Sequence, residues 1–357
     1  MAEFDRIFET IDEWTAKGQN FALATVVGVR GSTYRGLAAR QLVAVDGTSV
    51  GTVSGGCLDS DLRAVATEVM EEGRPRIVEF DLTADDEAIW GWGIGCNGAT
   101  RLLVEPAAMA AEISERLAEL RGAQRPAALV HVLSGGEGVG QRAVVTHNEV
   151  DGSIPDAVVE EARQALVAAR HRLVDTGEIE ALVEVVASPS RLVVCGAGHD
   201  AVPVVRLGAE LGFEVIVVDD RRQFLAAERF PEAAGLVHCE PGELAAAVEL
   251  DGRAHVVLMS HNYLRDLDYL RAACSATPAY IGVLGPGERL QRLLSELNES
   301  GFDQIQTDIL HGPAGLDIGA EGPVEIAWSI LAEILAVRRS KAGGRLRDRK
   351  GPSSLRS

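Results

Sequence analysis

The chain has 357 residues, about twice the usual length of one domain, so we expect two domains that each bury a core of their own. Its 53 acidic and 34 basic residues give a net charge of -19, which argues against a nucleic-acid-binding protein because the polyanion would be repelled. The five cysteines form no CxxC pair, which argues against a zinc cage or a disulfide framework and fits a reducing compartment.

The first twenty residues mix charged and apolar side chains at helical spacing and lack the apolar centre of a signal peptide. No stretch approaches the roughly 18 apolar residues that a membrane helix requires. We therefore expect a cytoplasmic protein with no membrane insertion.

Residues 23–70 and 128–170 follow one pattern. Each predicts a strand, a glycine-rich loop, a second strand, an Asp-Gly turn and a helix, and Arg40 and Arg142 stand at matching places. The pattern suggests one α/β domain made of two related halves. Only the first copy carries Ser54-Gly55-Gly56-Cys57, which precedes a helix predicted over Leu58–Met70.

Cys57 and Cys96 both lie in glycine-rich loops. Cys57 follows Gly55 and Gly56 at a helix N-terminus, where local N–H groups stabilise a thiolate and make it a better nucleophile or soft-metal ligand. Cys96 follows Gly95 in the second loop, just before the strand Arg101–Glu105. The two thiols are candidates to converge, and the alternative for each is a small, buried apolar residue.

From Arg191 to Val337, apolar runs alternate with amphipathic stretches, which is typical of βαβ units around a parallel sheet. A linker is predicted at Ser188-Pro189-Ser190. A helix is predicted over Glu288–Asn298, and the last helix begins at Pro323. The predicted strands are Leu192–Cys195, Val215–Val218, Leu236–Cys239, His255–Ser260 and Tyr280–Leu284.

The first of these strands leads into a dinucleotide-binding fingerprint of the GxGxxA form. Gly196 allows a tight turn, Gly198 lets backbone approach a phosphate, and Ala201 lets helix and strand pack closely. Asp219 ends the next strand, where an acid would meet a ribose hydroxyl. The motif does not choose between NAD and another nucleotide, and the alternative is a turn that keeps its glycines for packing alone.

Two histidines are predicted at the carboxyl edge of the same sheet, where ligands bind in open parallel sheets. His261 follows the fourth strand and His199 begins the first helix. Both are candidates to line one pocket, and the alternative for each is a structural histidine.

These motifs together resemble the XdhC/CoxI family, the xanthine dehydrogenase accessory factors. The resemblance implies a cytoplasmic chaperone that binds and protects the molybdenum cofactor, receives sulfur on it with help from a cysteine desulfurase, and inserts it into a molybdenum hydroxylase apo-enzyme. It also implies a homodimer. The residues that carry the likeness are Ser54-Gly55-Gly56-Cys57-Leu58, Gly95-Cys96-Asn97-Gly98, Arg191-Leu192, Gly196-Ala197-Gly198-His199, Ser260-His261-Asn262, Tyr280-Ile281-Gly282, Gly315–Ala320, Glu325-Ile326-Ala327 and Ser329-Ile330.

The chain departs from the family pattern at several places. Asn97 stands where the family has a glycine, Glu288 stands in a segment where it has two arginines, and Tyr34 lies in a loop that lacks the usual Ser-Pro. The missing cations weaken the expectation that the Rossmann pocket holds a phosphate in the family manner, and they leave room for a divergent molybdenum hydroxylase as client.

We therefore predict three regions: an XdhC/CoxI-type domain over 1–187, a Rossmann-like domain over 190–339, and a basic, disordered tail over 340–357. Cys57 and Cys96 are the expected molybdenum ligands, and a nucleotide in the Rossmann domain is a further possibility. The rival functions are an NAD(P)-dependent oxidoreductase that uses His261 or His199, and a nucleotide-sensing regulator. The predicted cofactor-binding set is Cys57, Cys96, Gly55, Gly56, Arg40, Gly95, Gly196, Gly198, His199, Asp219 and His261.

Overall fold

A computed structural model of the protein describes residues 3–81, 97–122, 126–135, 138–186, 188–302 and 307–348. The chain divides into two compact units, one of residues Glu3–Ser188 and one that begins at Pro189. Helices and strands occur in both units, so the fold class is α/β, as predicted. Within these ranges, no helix has the length and apolarity needed to span a membrane.

The first unit consists of two halves with the same order of elements, a helix and three strands followed by a helix and two strands. The first half has α1 (Glu3–Ala16), β1 (Phe21–Ser32), β2 (Arg40–Ala44), β3 (Ser49–Gly51), α2 (Asp59–Glu72), β4 (Arg76–Asp81) and β5 (Asn97–Pro106). The second half has α3 (Ala107–Gly122), β6 (Ala127–Ser134), β7 (Arg142–Val145), β8 (Val150–Asp151), α4 (Asp156–Ala168), β9 (Arg172–Asp175) and β10 (Glu180–Val186).

Each half forms a five-stranded antiparallel sheet, and the two strand orders correspond, β3-β2-β1-β5-β4 in the first and β8-β7-β6-β10-β9 in the second. The registers also correspond, since Arg40 lies opposite Thr25 in the first half and Arg142 lies opposite His131 in the second. The duplication predicted from sequence is therefore confirmed as a structural repeat.

The two halves share a core. One cluster joins the apolar faces of α1 and α3, with Ile11 and Ile113 fully buried, and another joins Leu103 of β5 to Leu182 of β10. Each such side chain contributes about 1.5–3 kcal/mol through burial, so the halves stabilise one another. The outer sheet faces are covered separately by α2 and α4.

Two buried ion pairs also connect the halves. Arg40 of the first half pairs with Glu184 on β10, and Arg142 of the second half pairs with Glu105 on β5. The two arginines occupy matching places in the two halves, and so do the two glutamates. Each half therefore supplies the arginine of one pair and the glutamate of the other, as expected for halves related by a local two-fold axis.

The second unit is a Rossmann-like fold. Its six-stranded sheet has the order β13-β12-β11-β14-β15-β16 with parallel pairing throughout. The strands are β11 (Arg191–Cys195), β12 (Glu214–Asp219), β13 (Gly235–His238), β14 (Ala254–Leu258), β15 (Tyr280–Val283) and β16 (Leu310–His311). The helices are α5 (Ala201–Glu210), α6 (Leu244–Ala247), α7 (Tyr263–Cys274), α8 (Gly287–Glu299) and α9 (Gly322–Arg338).

The five predicted strands of this unit are confirmed, with ends that differ by one or two residues. The largest difference is at β14, which was expected to reach Ser260 and ends at Leu258. His261 has a left-handed φ of 55°, so the chain has already turned away from the sheet. Beyond α9, the basic tail is described as far as Asp348 and contains a short 3-10 turn at Leu346–Asp348.

Candidate functional site

Cys57 lies in the loop Thr52–Leu58 between β3 and α2, which we call the thiol loop. The hydroxyl oxygen of Ser54 accepts the N–H groups of Gly56 at 3.1 Å and Leu58 at 3.4 Å. Ser54 is itself buried, whereas Gly55, Gly56 and Cys57 are exposed. The loop is therefore held from within while its tip faces solvent.

Gln41 on β2 fixes both ends of the thiol loop. Its side-chain oxygen accepts the N–H of Val53 at 3.1 Å, and its amide nitrogen donates to Asp59 at 3.4 Å. Gly56 has a φ of 101°, a conformation that favours glycine. The sequence Ser-Gly-Gly-Cys thus forms a turn that is fixed by side-chain hydrogen bonds and exposes the Cys57 thiol.

A small cleft lies beside this turn. It is lined by Thr33, Tyr34, Val53, Ser54, Leu58, Gly98 and Thr100. Gly98 comes two residues after Cys96 in the chain, so the segment that leads away from Cys96 reaches the same cleft. Cys96 and Gly95 lie outside the described residues, and their convergence with Cys57 stays a prediction.

The described cysteines differ sharply in exposure. Cys57 is exposed, whereas Cys195, Cys239 and Cys274 are buried. Burial raises the pKa of the three buried thiols, to about 11 for Cys274, which keeps them protonated and unreactive. Among the described residues, no group of three or more His, Cys, Asp or Glu side chains is placed to hold a metal ion.

Arg40, predicted to contact the cofactor, occupies a buried position between the two halves of the first unit. Its side chain is 2% exposed, and its two terminal nitrogens donate to the two oxygens of Glu184 at 2.8 and 2.6 Å. The guanidinium is thus committed to an intramolecular bidentate pair.

The glycine turn of the Rossmann unit has the predicted shape. Gly196 has a φ of 116°, and a Cβ there would come within 2.6 Å of the carbonyl oxygen of Met259. A Cβ on Gly198 would lie 2.5 Å from a carboxylate oxygen of Asp200. The glycine at 198 therefore makes room for a carboxylate of the protein itself.

Asp219 ends β12 as predicted, with its side chain buried and saturated. One oxygen accepts the N–H of Ala197 and a terminal N–H of Arg221, and the other accepts the backbone and Nε N–H groups of Arg221, at 2.7–2.8 Å. Burial alone would raise the pKa of Asp219, but these donors outweigh it and lower the pKa to about 2. All four acceptor positions are used, which leaves none for a ribose hydroxyl in this structure.

The two predicted histidines lie in turns that follow neighbouring strands, because β11 pairs with β14 in the sheet. Nε2 of His261 lies 2.6 Å from a carboxylate oxygen of Asp200, and the imidazole is largely exposed. His199 is exposed in the turn before α5, which begins at Ala201 rather than at His199. The pair His261–Asp200 bridges the turns on either side of the point where the strand order reverses.

Comparison with known proteins follows the same division of the chain. A family model described as the XdhC and CoxI family matches residues 14–81, and a model described as the XdhC Rossmann domain matches residues 192–334. A Bacillus subtilis protein described as a probable xanthine dehydrogenase subunit is 30% identical over 325 residues, which cover 90% of this chain and 94% of that protein. The chain belongs to the XdhC and CoxI family.

Two further proteins are similar to the chain over most of their length. A solved structure of a xanthine dehydrogenase from Bacillus halodurans is 29% identical, with a TM-score of 0.77 and coverage of 95% of this chain and 98% of that one. The molybdenum cofactor insertion chaperone PaoD of Escherichia coli is 26% identical over 322 residues, 90% of this chain and 84% of PaoD.

The structure also points to residues that the motif analysis did not place in the site. Tyr34 lines the cleft beside the thiol loop, and Asp200 holds His261. Aromatic residues make up only 4% of the chain, so a tyrosine in the loop after the first strand was the available signal. The sequence contains no corresponding signal for Asp200, because its partner His261 lies 61 residues away in the chain.

Proposed function

We propose that the protein binds the molybdenum cofactor as cargo at the thiol loop and inserts it into a molybdenum hydroxylase of the xanthine dehydrogenase type. The observation that carries the proposal is the exposure of Cys57 on a loop whose flanks are fixed by Ser54 and Gln41. The names of two relatives support it, one a molybdenum cofactor insertion chaperone and the other a probable xanthine dehydrogenase subunit.

The chemistry of the loop suits a carrier. A thiolate is a soft ligand that molybdenum accepts, and the exposed position lets a guest enter and leave without unfolding the loop. A permanent metal site would need several protein ligands in a closed shell. The described residues contain no such shell, and a carrier needs none because the cofactor brings its own ligands.

Retention of the released cofactor tests the proposal. Purified protein is mixed under anaerobic conditions with molybdenum cofactor released from a molybdenum enzyme and then passed through gel filtration. We expect molybdenum and pterin to elute together with the protein, and the eluted complex to restore activity to an apo-hydroxylase. Cys57→Ala is expected to lose at least tenfold in retention, and Cys96→Ala tests the predicted second thiol.

Cys239→Ala is the matched control, because it removes a thiol that is buried in the other unit. Equal retention by wild type, Cys57→Ala and Cys96→Ala contradicts the role of the thiols while leaving a carrier role intact. Failure of the wild type to retain the cofactor contradicts the proposed function. Tight retention of NADH with hydride transfer would favour the oxidoreductase. The hydrogen bonds that already occupy the Asp219 carboxylate argue against that function, because they leave no acceptor for a ribose hydroxyl.

The finer parts of the proposal concern how the cofactor is processed. We propose that a cysteine desulfurase supplies sulfur to the bound cofactor, that the protein acts as a cytoplasmic homodimer, and that the Rossmann crevice near Gly196, Gly198, His199 and His261 holds another part of the cofactor or a nucleotide. Co-purification with a desulfurase, the mass in solution and binding of adenine nucleotides test these three points separately.

A further inference from the structure

The internal repeat supplies a control for identifying which features of the first half serve a ligand. The loop between β1 and β2 (residues 33–39) and its counterpart between β6 and β7 (residues 135–141) have the same length. The first contains Tyr34, and the second contains Gly136 at the matching place and no aromatic residue. The aromatic side chain is therefore dispensable for closing this loop in the shared scaffold.

The same comparison applies to the loop before the second helix of each half. In the first half seven residues, 52–58, connect β3 to α2, whereas in the second half four residues, 152–155, connect β8 to α4. The longer loop contains Cys57, and the shorter one contains no cysteine. The half that carries the thiol is thus also the half that carries the aromatic residue.

These two additions meet in the structure. Ring atoms of Tyr34 lie 3.8 Å from the place where a Cβ on Gly55 would be, which is ordinary van der Waals contact. Because Gly55 has no side chain, nothing fills the space between the ring and the thiol loop at this point, two residues before Cys57. The hydroxyl of Thr33 donates to the carbonyl of Arg35 at 3.0 Å and closes the turn that carries the ring.

Tyr34 is 58% exposed, so its ring is accessible to a ligand. The ring lines the same small cleft as Ser54 and Leu58 of the thiol loop, and more than half of the tyrosine is accessible to solvent. Flat heteroaromatic groups stack on such rings with little dependence on further hydrogen bonding.

We propose that Tyr34 is the stacking platform for the pterin of the guest, so that the ring orients the flat end of the molecule while Cys57 contacts its metal end. This inference rests on the proposed function and assigns the recognition of the organic part to one residue. Tyr34 is a positioning residue here, and no bond is made or broken at it.

The test compares Tyr34→Leu with Tyr34→Phe. Leucine keeps an apolar side chain and removes the ring, whereas phenylalanine keeps the ring and removes the hydroxyl. We expect Tyr34→Leu to bind released molybdenum cofactor about five- to a hundredfold more weakly and Tyr34→Phe to bind within about twofold of wild type. Val139→Ala, a truncation of the exposed apolar residue in the counterpart loop, is the matched control and should bind like wild type.

A metal-free probe separates stacking from metal binding. Neopterin is titrated into the protein, and quenching of its fluorescence is measured. We expect quenching with wild type, Tyr34→Phe and Cys57→Ala, and its loss with Tyr34→Leu. Circular dichroism verifies that each variant is folded.

Two results overturn the inference. If Tyr34→Leu quenches neopterin as wild type does, stacking on Tyr34 is wrong even when Cys57→Ala shows that the carrier function holds. If Tyr34→Phe fails as badly as Tyr34→Leu, the hydroxyl rather than the ring is responsible. If the wild type quenches neopterin but does not retain the molybdenum cofactor, the proposed function fails and the identity of the guest fails with it, although stacking of a free pterin on Tyr34 is upheld.

Discussion

The two halves of the first unit share a strand order and a register but differ in what they add to it. The first half adds Tyr34 and the thiol loop, and the second half adds His131, which lies 3.0 Å from Glu184 at the place where the first half has Thr25. The first half thus presents exposed groups, and the second half has a buried histidine that contacts the glutamate paired with Arg40 across the join. The shared sheet order leaves the connecting loops free to differ, because each half closes its own sheet under its own helix.

The two buried ion pairs that join the halves are unequal, and this inequality gives the largest predicted effect. Arg40 is almost wholly buried and pairs with both oxygens of Glu184, whereas Arg142 is 9% exposed and leaves one oxygen of Glu105 without a hydrogen bond. Arg40→Met leaves the buried carboxylate of Glu184 with His131 as its remaining charged or polar partner in the described part of the chain, and it is expected to cost about 3–5 kcal/mol of unfolding free energy. Arg142→Met is expected to cost less. Urea unfolding of both variants measures the difference.

Equal losses in the two variants would contradict the inequality of the pairs. A larger loss in Arg142→Met would reverse it. Because Arg40 and Arg142 begin matching strands, each variant is the natural control for the other.

The pH dependence of stability sharpens the same comparison. Burial alone would raise the pKa of Glu184, but Arg40 and His131 outweigh it and hold the pKa well below its ordinary 4.5. Glu184 therefore contributes stability above pH 4.5 that is lost as the pH falls toward the folded-state pKa. For Glu105, burial outweighs Arg142 and raises the pKa above 4.5, so its contribution is present below pH 4.5 and is lost as the pH rises.

Replacing each glutamate by glutamine should change the pH profile in opposite directions. Relative to wild type, Glu184→Gln is expected to lose less stability on acidification below pH 4.5. Glu105→Gln is expected to lose less stability as the pH rises above 4.5. The free energy of unfolding in urea, measured from pH 3 to pH 8, tests both, and parallel profiles in the two variants would refute the assignment.

The sequence predicted the elements well where local pattern decides them. Apolar runs located the five strands from β11 to β15, and the glycines located the thiol loop and the Rossmann turn. The two-residue strand β16 was missed because it is too short to show a period of two.

Side-chain roles were harder to predict, because they depend on partners that lie far away in the chain. From the sequence, Arg40 is a candidate ligand contact. Only the fold shows that its charge is paired with that of Glu184, 144 residues later in the chain. Asp219 reads as a ribose acceptor in the fingerprint, although Arg221, two residues later, was a local sign that the carboxylate has a partner within the protein. Charge pairing competes with ligand binding for the same groups, and sequence spacing does not decide between them.

The smallest predicted effect concerns the thiol loop and tests whether its chemistry is separable from the scaffold. Cys57 is exposed at the tip of the loop, so Cys57→Ala should change the free energy of unfolding by no more than about 0.5 kcal/mol. Ser54→Ala, in the same loop, removes the acceptor of two backbone N–H groups and should cost about 1–3 kcal/mol. Urea unfolding measures both, and cofactor retention is measured on the same samples. If Cys57→Ala destabilises as much as Ser54→Ala does, the cysteine is part of the scaffold, and its loss of cofactor would no longer report on binding.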